Sequence, residues 1–422
     1  MKRWATMLGV LLLAGVGGGC GSGGSTDAGV TITDTAAKTP VATDCAGATL
    51  EALERVGHSV YEESAGGRIA QEAAYRLSSS RSLAEAVQRD EAATATRVLR
   101  SLLLNQIVSV RVTRAGHTLA RIERGIGIAP VSGRLLLGDQ LVGTFTVSVQ
   151  GANGYAQTTW GLTASQVVVR SGARTLNSTL RPAPGALRKG QQAVSYKGVS
   201  YRVDTFAGEA FPGRPMSISL LVPSSSIAAI CAHGAARTDA ARARADTWGL
   251  VAERVYYAEH TGSKAELIRG VVERSRAFRK AVAAGDATAT RAAIIGFFRS
   301  HLHVVRVRVM RGGHLLVDVG GPHVLAPIPG IVRNARGQVV AHFLLGIQDD
   351  LGFTILARAF TGAQTLMREG ALQVIGTLHP GPARIPDRGQ VVYGGATYEA
   401  YSFDAEAFPS GPLRISLLYP TS

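Results

Sequence analysis

The chain repeats itself, and that repetition limits its possible folds more than any other feature. Ile107-Val108-Ser109-Val110-Arg111-Val112 recurs as Val304-Val305-Arg306-Val307-Arg308-Val309. Ala129-Pro130 recurs as Ala326-Pro327, an offset of 197 (327 minus 130). The C-terminal ends agree best: Ala210-Phe211-Pro212 returns as Ala407-Phe408-Pro409, and Ile218-Ser219-Leu220-Leu221 as Ile415-Ser416-Leu417-Leu418. So many matches, in order and at nearly constant spacing, identify a duplication. Each copy is about 175 residues, long enough to bury its own core.

Both copies open with helical spacing. Leu267, Val271, Phe278 and Val282 fall on one face at a period of 3.6, and the first copy behaves alike, with Leu83 and Val87, a break near Asp90, and then Val98 and Leu102. Gly285-Asp286 reads as a helix stop followed by an N-cap. The period then changes to two, with Val108, Val110 and Val112 alternating with polar residues. Ala115-Gly116 and Gly312-Gly313 predict hairpin turns. Further strands are expected at 141–150, 166–170, 192–196, 201–206 and 216–221. The fold class is α+β: two tandem repeats, each with N-terminal helices followed by an antiparallel sheet.

Lys2 and Arg3 precede a short apolar run, Met7 to Val16, and then Gly17-Gly18-Gly19-Cys20. The run is too short for a membrane span and reads as an export signal. It resembles a bacterial lipoprotein signal, which implies lipidation of Cys20 and a membrane-anchored, extracytoplasmic protein; a free secreted protein is the alternative. The expected organisation is a signal over 1–20, a flexible tether over 21–45, one repeat over 46–223, a linker over 224–245 and a second repeat over 246–422. Cys45 and Cys231 are either a disulfide or two free thiols, in a compartment where a disulfide persists.

The net charge of +15 favours acidic partners such as anionic metabolites, lipid head groups or wall polymers. No basic stretch is interleaved with aromatics, so no nucleic-acid partner is expected. Gly-x-Ser-x-Gly, His-Glu-x-x-His, P-loop and Cys-x-x-Cys signatures are missing, so the expectation is a non-enzymatic protein without cofactor. His301, His303 and His323 are too loosely spaced for a zinc site, and no metal is expected.

The strand–turn–strand of Val305 to Val317 and the stretch Gly337-Gln338-Val339-Val340-Ala341-His342-Phe343, running into Gly346-Ile347-Gln348-Asp349-Asp350, carry a resemblance. Over both repeats the chain resembles the Cache (PAS-like) extracytoplasmic sensory domains, including those of citrate-sensor-type histidine kinases. That resemblance implies a small ligand, a carboxylate or an amino acid, on a concave sheet face, with any signal passing through a separate membrane receptor partner. Arginine forks suit such ligands. The candidate contacts are Arg111, Arg308, Arg170, Arg368, His117, His314, Gln150, Gln348 and Asp349. Asp349-Asp350 otherwise reads as a turn that begins the next strand. The rival expectation is a structural or interaction envelope lipoprotein that keeps the fold and has no ligand pocket.

Overall fold

The computed structural model describes residues 44–421 apart from 103–106, 186, 188–191, 233–238, 301–303 and 322–324. The signal segment, Cys20, His301, His303 and His323 lie outside the described residues.

Each repeat begins with one long helix, α1 (Cys45–Gly66) and α7 (Ala240–His260). Three shorter helices follow in each: α2 (Arg68–Ser78), α3 (Arg81–Gln88) and α4 (Ala92–Leu102), and α8 (Ser263–Arg274), α9 (Arg276–Ala284) and α10 (Ala287–Arg299). Local chemistry sets the breaks. Asp286 caps α10 by accepting from the Ala289 amide at 2.9 Å, just after Gly285 ends α9 at φ 71°. Leu83 and Val87 in α3 and Phe278 and Val282 in α9 are buried as expected, but the inward face of α8 is one residue away from the expected one. Ile268 and Val272 are buried, whereas Leu267 is 64% exposed. The Ser275 N-cap splits the run between α8 and α9, so a single 3.6-residue period does not carry across it.

The strands in each repeat divide into two sheets rather than one. In the first repeat β1 (Ser109–Arg114), β2 (His117–Glu123), β4 (Val131–Leu137) and β5 (Gln140–Ser148) make a four-stranded sheet in the order β2-β1-β5-β4. The second repeat copies it with β12 (Arg306–Arg311), β13 (His314–Gly320), β14 (Ile328–Arg333) and β15 (Val339–Gly346). Val110, Val112 and Phe145 face α2–α4, and Val307, Val309 and Phe343 face α8–α10. In both hairpins two successive residues take positive φ, Ala115 and Gly116 and then Gly312 and Gly313, as a tight primed turn requires. Gly133 lies across from Phe145, and Gly330 from Phe343, with each ring covering the glycine backbone.

The chain then crosses to a second sheet. After β3 (Gly127–Ile128) and β6 (Gln150–Gly151), helix α5 (Ala152–Thr163) leads into β7 (Gln166–Ser171), β8 (Arg174–Ser178), β9 (Ala193–Tyr196), β10 (Val199–Ala210) and β11 (Arg214–Pro223). The second repeat uses α11 (Asp350–Thr361), β16 (Gln364–Glu369), β17 (Leu372–Gly376), β18 (Arg388–Tyr393), β19 (Ala396–Glu406) and β20 (Pro412–Pro420), ordered β17-β16-β20-β19-β18. Asp349-Asp350 therefore opens a helix, not a strand: Asp349 caps α11, accepting from the Gly352 amide at 2.5 Å. The cap is what an aspartate three residues past a strand supplies when a helix follows.

These second sheets and the long helices of both repeats share one core. Val56, Val60, Tyr155 and Leu220 belong to the same cluster as Trp248, Val255, Phe353, Phe403 and Leu417. Helices α1 and α7 pack on each other. The Trp248 indole donates to the Ala52 carbonyl at 3.1 Å, and the Arg244 guanidinium meets Glu51 at 2.9 Å. Each long helix also clamps its own sheet in the same way. The Tyr61 hydroxyl accepts from the Glu209 amide at 2.7 Å, and Tyr256 from Glu406 at 2.8 Å. The segment read as a linker is largely helical: α6 spans Ser224–Cys231, and α7 has begun by Ala240. Cys45 at the start of α1 and Cys231 at the end of α6 are bonded, with Cα atoms 5.9 Å apart.

Candidate functional site

A cleft of about 1020 Å³ opens in the second repeat between α6, α7, the edge strand β18 and its neighbour β19. Its inner wall follows from two periodicities. Along α7, residues Arg242, Asp246 and Gly249 recur at helical spacing toward the sheet. Along β19, Glu399, Tyr401 and Phe403 alternate toward the helix. Gly249 lets the two approach, since a Cβ there would overlap the Tyr401 ring.

The buried end of the cleft is ionic. Arg242, 5% exposed, holds Asp246 with two of its nitrogens at 3.2 and 2.9 Å. Its third nitrogen donates to Glu399 at 3.3 Å and to the Ala400 carbonyl at 3.0 Å. Glu399 is 2% exposed, so removing Arg242 would strand a buried carboxylate. Across β18 the Arg388 guanidinium stacks 3.4 Å from the Tyr401 ring centroid and reaches Asp246 at 3.3 Å. The Tyr401 hydroxyl donates to Glu253 at 2.7 Å, and burial pushes its ionisation well above the usual range. Arg414 stands at the mouth with Asp404 at 2.6 Å and Asp387. The lining thus carries three guanidinium groups (Arg242, Arg388, Arg414) and five carboxyls (Asp239, Asp246, Asp387, Glu399, Asp404).

Among the described residues the first repeat shows no such wall. The paired tyrosines Tyr61 and Tyr256 and the paired amides of Glu209 and Glu406 fix the correspondence. They place Gly47 where Arg242 stands, Arg202 where Glu399 stands, and Glu54 and Asp204 where Gly249 and Tyr401 meet. Burial, and then the facing Asp204 charge, push Glu54 up to about 7. Burial also raises Asp204, offset by the hydrogen bond from Glu54, so Glu54 holds the proton and Asp204 the charge. The proton is bound more tightly folded than unfolded. The stability it confers is complete below pH about 4.5, the ordinary glutamate value, and is lost as pH rises through about 7. Melting temperature measured across pH 4 to 8 is expected to fall over that window. In the Glu54→Gln variant the fall should be shallower, because the amide does not titrate; an unchanged slope would remove Glu54 from the account.

The residues singled out in the sequence do not gather, and none lines the cleft. Arg111 sits half-buried on the outer face of the first four-stranded sheet, opposite Arg121 and Thr146. Arg308 lies on the same face of the second, 3.8 Å from Asp318, whose carboxylate Arg306 grips at 2.9 Å through two nitrogens. Arg170 and Arg368 play one role twice. Each donates to carbonyls of the following loop, Pro184 and Gly185 in one repeat, Pro382 and Ala383 in the other. These guanidinium groups hold loops. His117 meets Asp90 at 3.3 Å in an exposed position, and His314 is an exposed strand-end residue beside the turn. Gln150 and Gln348 are buried, 0% and 5% exposed, at equivalent points where the chain passes between sheets. Among the described residues, no group of three or more His, Cys, Asp or Glu is placed to hold a metal ion.

Sequence reasoning favoured what the repeats share, whereas the cleft is made where they differ. Arg242, Arg388, Glu399, Tyr401 and Arg414 depart from the first copy, and a scan for charges gained by one copy alone would have marked several of them.

No family model matches the chain, and no curated protein does. Among solved structures, the periplasmic domain of LuxQ from Vibrio cholerae matches at 11% identity and a TM-score of 0.30, covering 42% of this chain and 100% of that one. A selenomethionine form of the same domain matches at 12% identity and a TM-score of 0.23, over 37% and 92%.

Proposed function

We propose that this chain is a non-enzymatic, lipid-anchored extracytoplasmic protein of the sensor type, which binds a small ligand in the cleft between α7 and β18–β19. The observation that carries the reading is the buried ionic floor of an open cleft, present in one repeat and, among the described residues, not repeated in the other. Five carboxyls against three guanidinium groups disfavour a simple anion. An amino acid suits the lining better: its carboxylate would meet the fork of Arg388 or Arg414 at the mouth, and its ammonium the acidic groups beside them. In this reading the first repeat is scaffold, and any signal passes to a separate membrane receptor.

Calorimetric titration of the full chain with the standard amino acids and short dicarboxylates tests this. One amino acid is expected to bind, and Arg388→Ala to weaken it at least tenfold, or about 1.4 kcal/mol. Binding of dicarboxylates alone would overturn the amino-acid assignment. A panel without any binding would favour the second reading, a structural or interaction envelope lipoprotein. One observation speaks for that reading: each cleft guanidinium already holds a protein carboxylate.

A further inference from the structure

A second cavity, about 520 Å³, lies in the other half of the second repeat, between α9 and the β14–β15 turn. Its charged lining is Arg276, Arg279, Lys280, Arg333 and Arg336, with no carboxylate among the lining residues. Arg276, Arg279 and Lys280 share a face of α9 at spacings of three and four. The turn is built to hold its shape. The Asn334 carboxamide accepts from the amides of Arg336 at 2.9 Å and Gln338 at 3.0 Å, and Arg333 donates to the Gly337 carbonyl at 2.9 Å. The half-buried Arg279 has an enclosed Nε without a protein hydrogen-bond acceptor.

The first repeat shows that the fold does not demand this charge. At the counterpart of Arg276 and Lys280 it has Arg81 and Glu85, an ion pair at 2.8 Å with the favourable spacing of four. Leu136 stands in place of Arg333, and the β4–β5 turn carries Asp139 while the β14–β15 turn carries Arg336. The second repeat has replaced a self-neutralised surface by like charges at i and i+4, which repel. That repulsion costs stability, and the lining offers no internal anion to offset it.

We infer that this cavity binds a multiply charged oxyanion of the phosphate-ester class. Guanidinium forks take phosphate oxygens two at a time, and five cations around one concavity suit a dianion or larger better than a carboxylate. The ligand chemistry is the same whether it comes as a soluble phosphate ester or as an anionic lipid head group. The inference does not depend on the α7 cleft.

Inorganic pyrophosphate titrated into the full chain at fixed ionic strength is the direct probe. Binding is expected, and it should weaken at least tenfold in Arg279→Gln/Arg336→Gln with the melting temperature no lower than that of the wild type. Arg336→Gln alone, in the exposed turn, keeps the test valid if the half-buried Arg279 proves needed for folding. Arg81→Gln in the first repeat is expected to leave the affinity as it was. No binding by the wild type, or equal binding by the Arg336 variants, would overturn the assignment. Cosedimentation with phosphatidylcholine vesicles, neutral or carrying one part in four phosphatidylglycerol, separates the sources. Extra sedimentation on the anionic vesicles that pyrophosphate competes away marks a head-group site; pyrophosphate binding without it marks a soluble ester.

Discussion

Replacing Cys45 and Cys231 together by serine is expected to lower the free energy of unfolding by about 3–5 kcal/mol. The bond closes a loop with a sequence separation of 186. For a loop that long, restricting the unfolded chain is worth about 5 kcal/mol as an upper figure. The native state loses little else, because α1 and α6 still meet α7. Urea unfolding of the double variant, compared with the wild type with and without reductant, measures it. Reduction of the wild type should reproduce the variant. A loss below about 1 kcal/mol would mean that the unfolded chain is already held compact by other contacts.

Trp248→Ala should cost about as much, roughly 3–5 kcal/mol, the usual range for truncating a buried tryptophan. The ring packs 5.4 Å from Tyr419, lies beneath the Arg55 guanidinium at 5.2 Å, and donates to Ala52 across the seam between repeats. Truncation leaves a cavity and removes the indole's hydrogen bond to the Ala52 carbonyl, which keeps its helical bond within α1. The form of the transition matters as much as its midpoint. Because one cluster of buried residues draws on both repeats, both halves should unfold in a single step in the wild type and in the variant. Calorimetry resolving two transitions in the wild type would show that the seam is weaker than its packing indicates.

The architecture was legible where the chain's signals are local. The duplication, the valine alternation of β1 and β12 and the Gly285-Asp286 helix break are short-range patterns, and the structure uses each of them. The division into two sheets per repeat was not legible, because alternation marks a strand without naming its partner. β5 and β7 read alike, and long-range packing sends them to different sheets. Helices α5 and α11 were missed for a related reason. Both are short: the apolar residues of α11 run nearly all round, and those of α5 are few and diluted by Gly154, Gly161 and three threonines, so neither shows a strong amphipathic stripe. The shift from Leu267 to Ile268 shows how a helix break displaces an inferred face by one residue. The candidate cleft was illegible for a further reason: its walls are far apart in sequence, Arg242 and Glu399 being at a separation of 157.

Helix α7 is a party wall. Arg242, Asp246 and Gly249 face the cleft, whereas Arg244 and Trp248, on the next strip of the same helix, hold α1. A helix this regular moves as a rod, so a tilt that tightens one strip shifts the other by a comparable amount. A ligand held in the cleft, as proposed, would therefore press mechanically on the first repeat, whose outer surface would be the place to look for a readout.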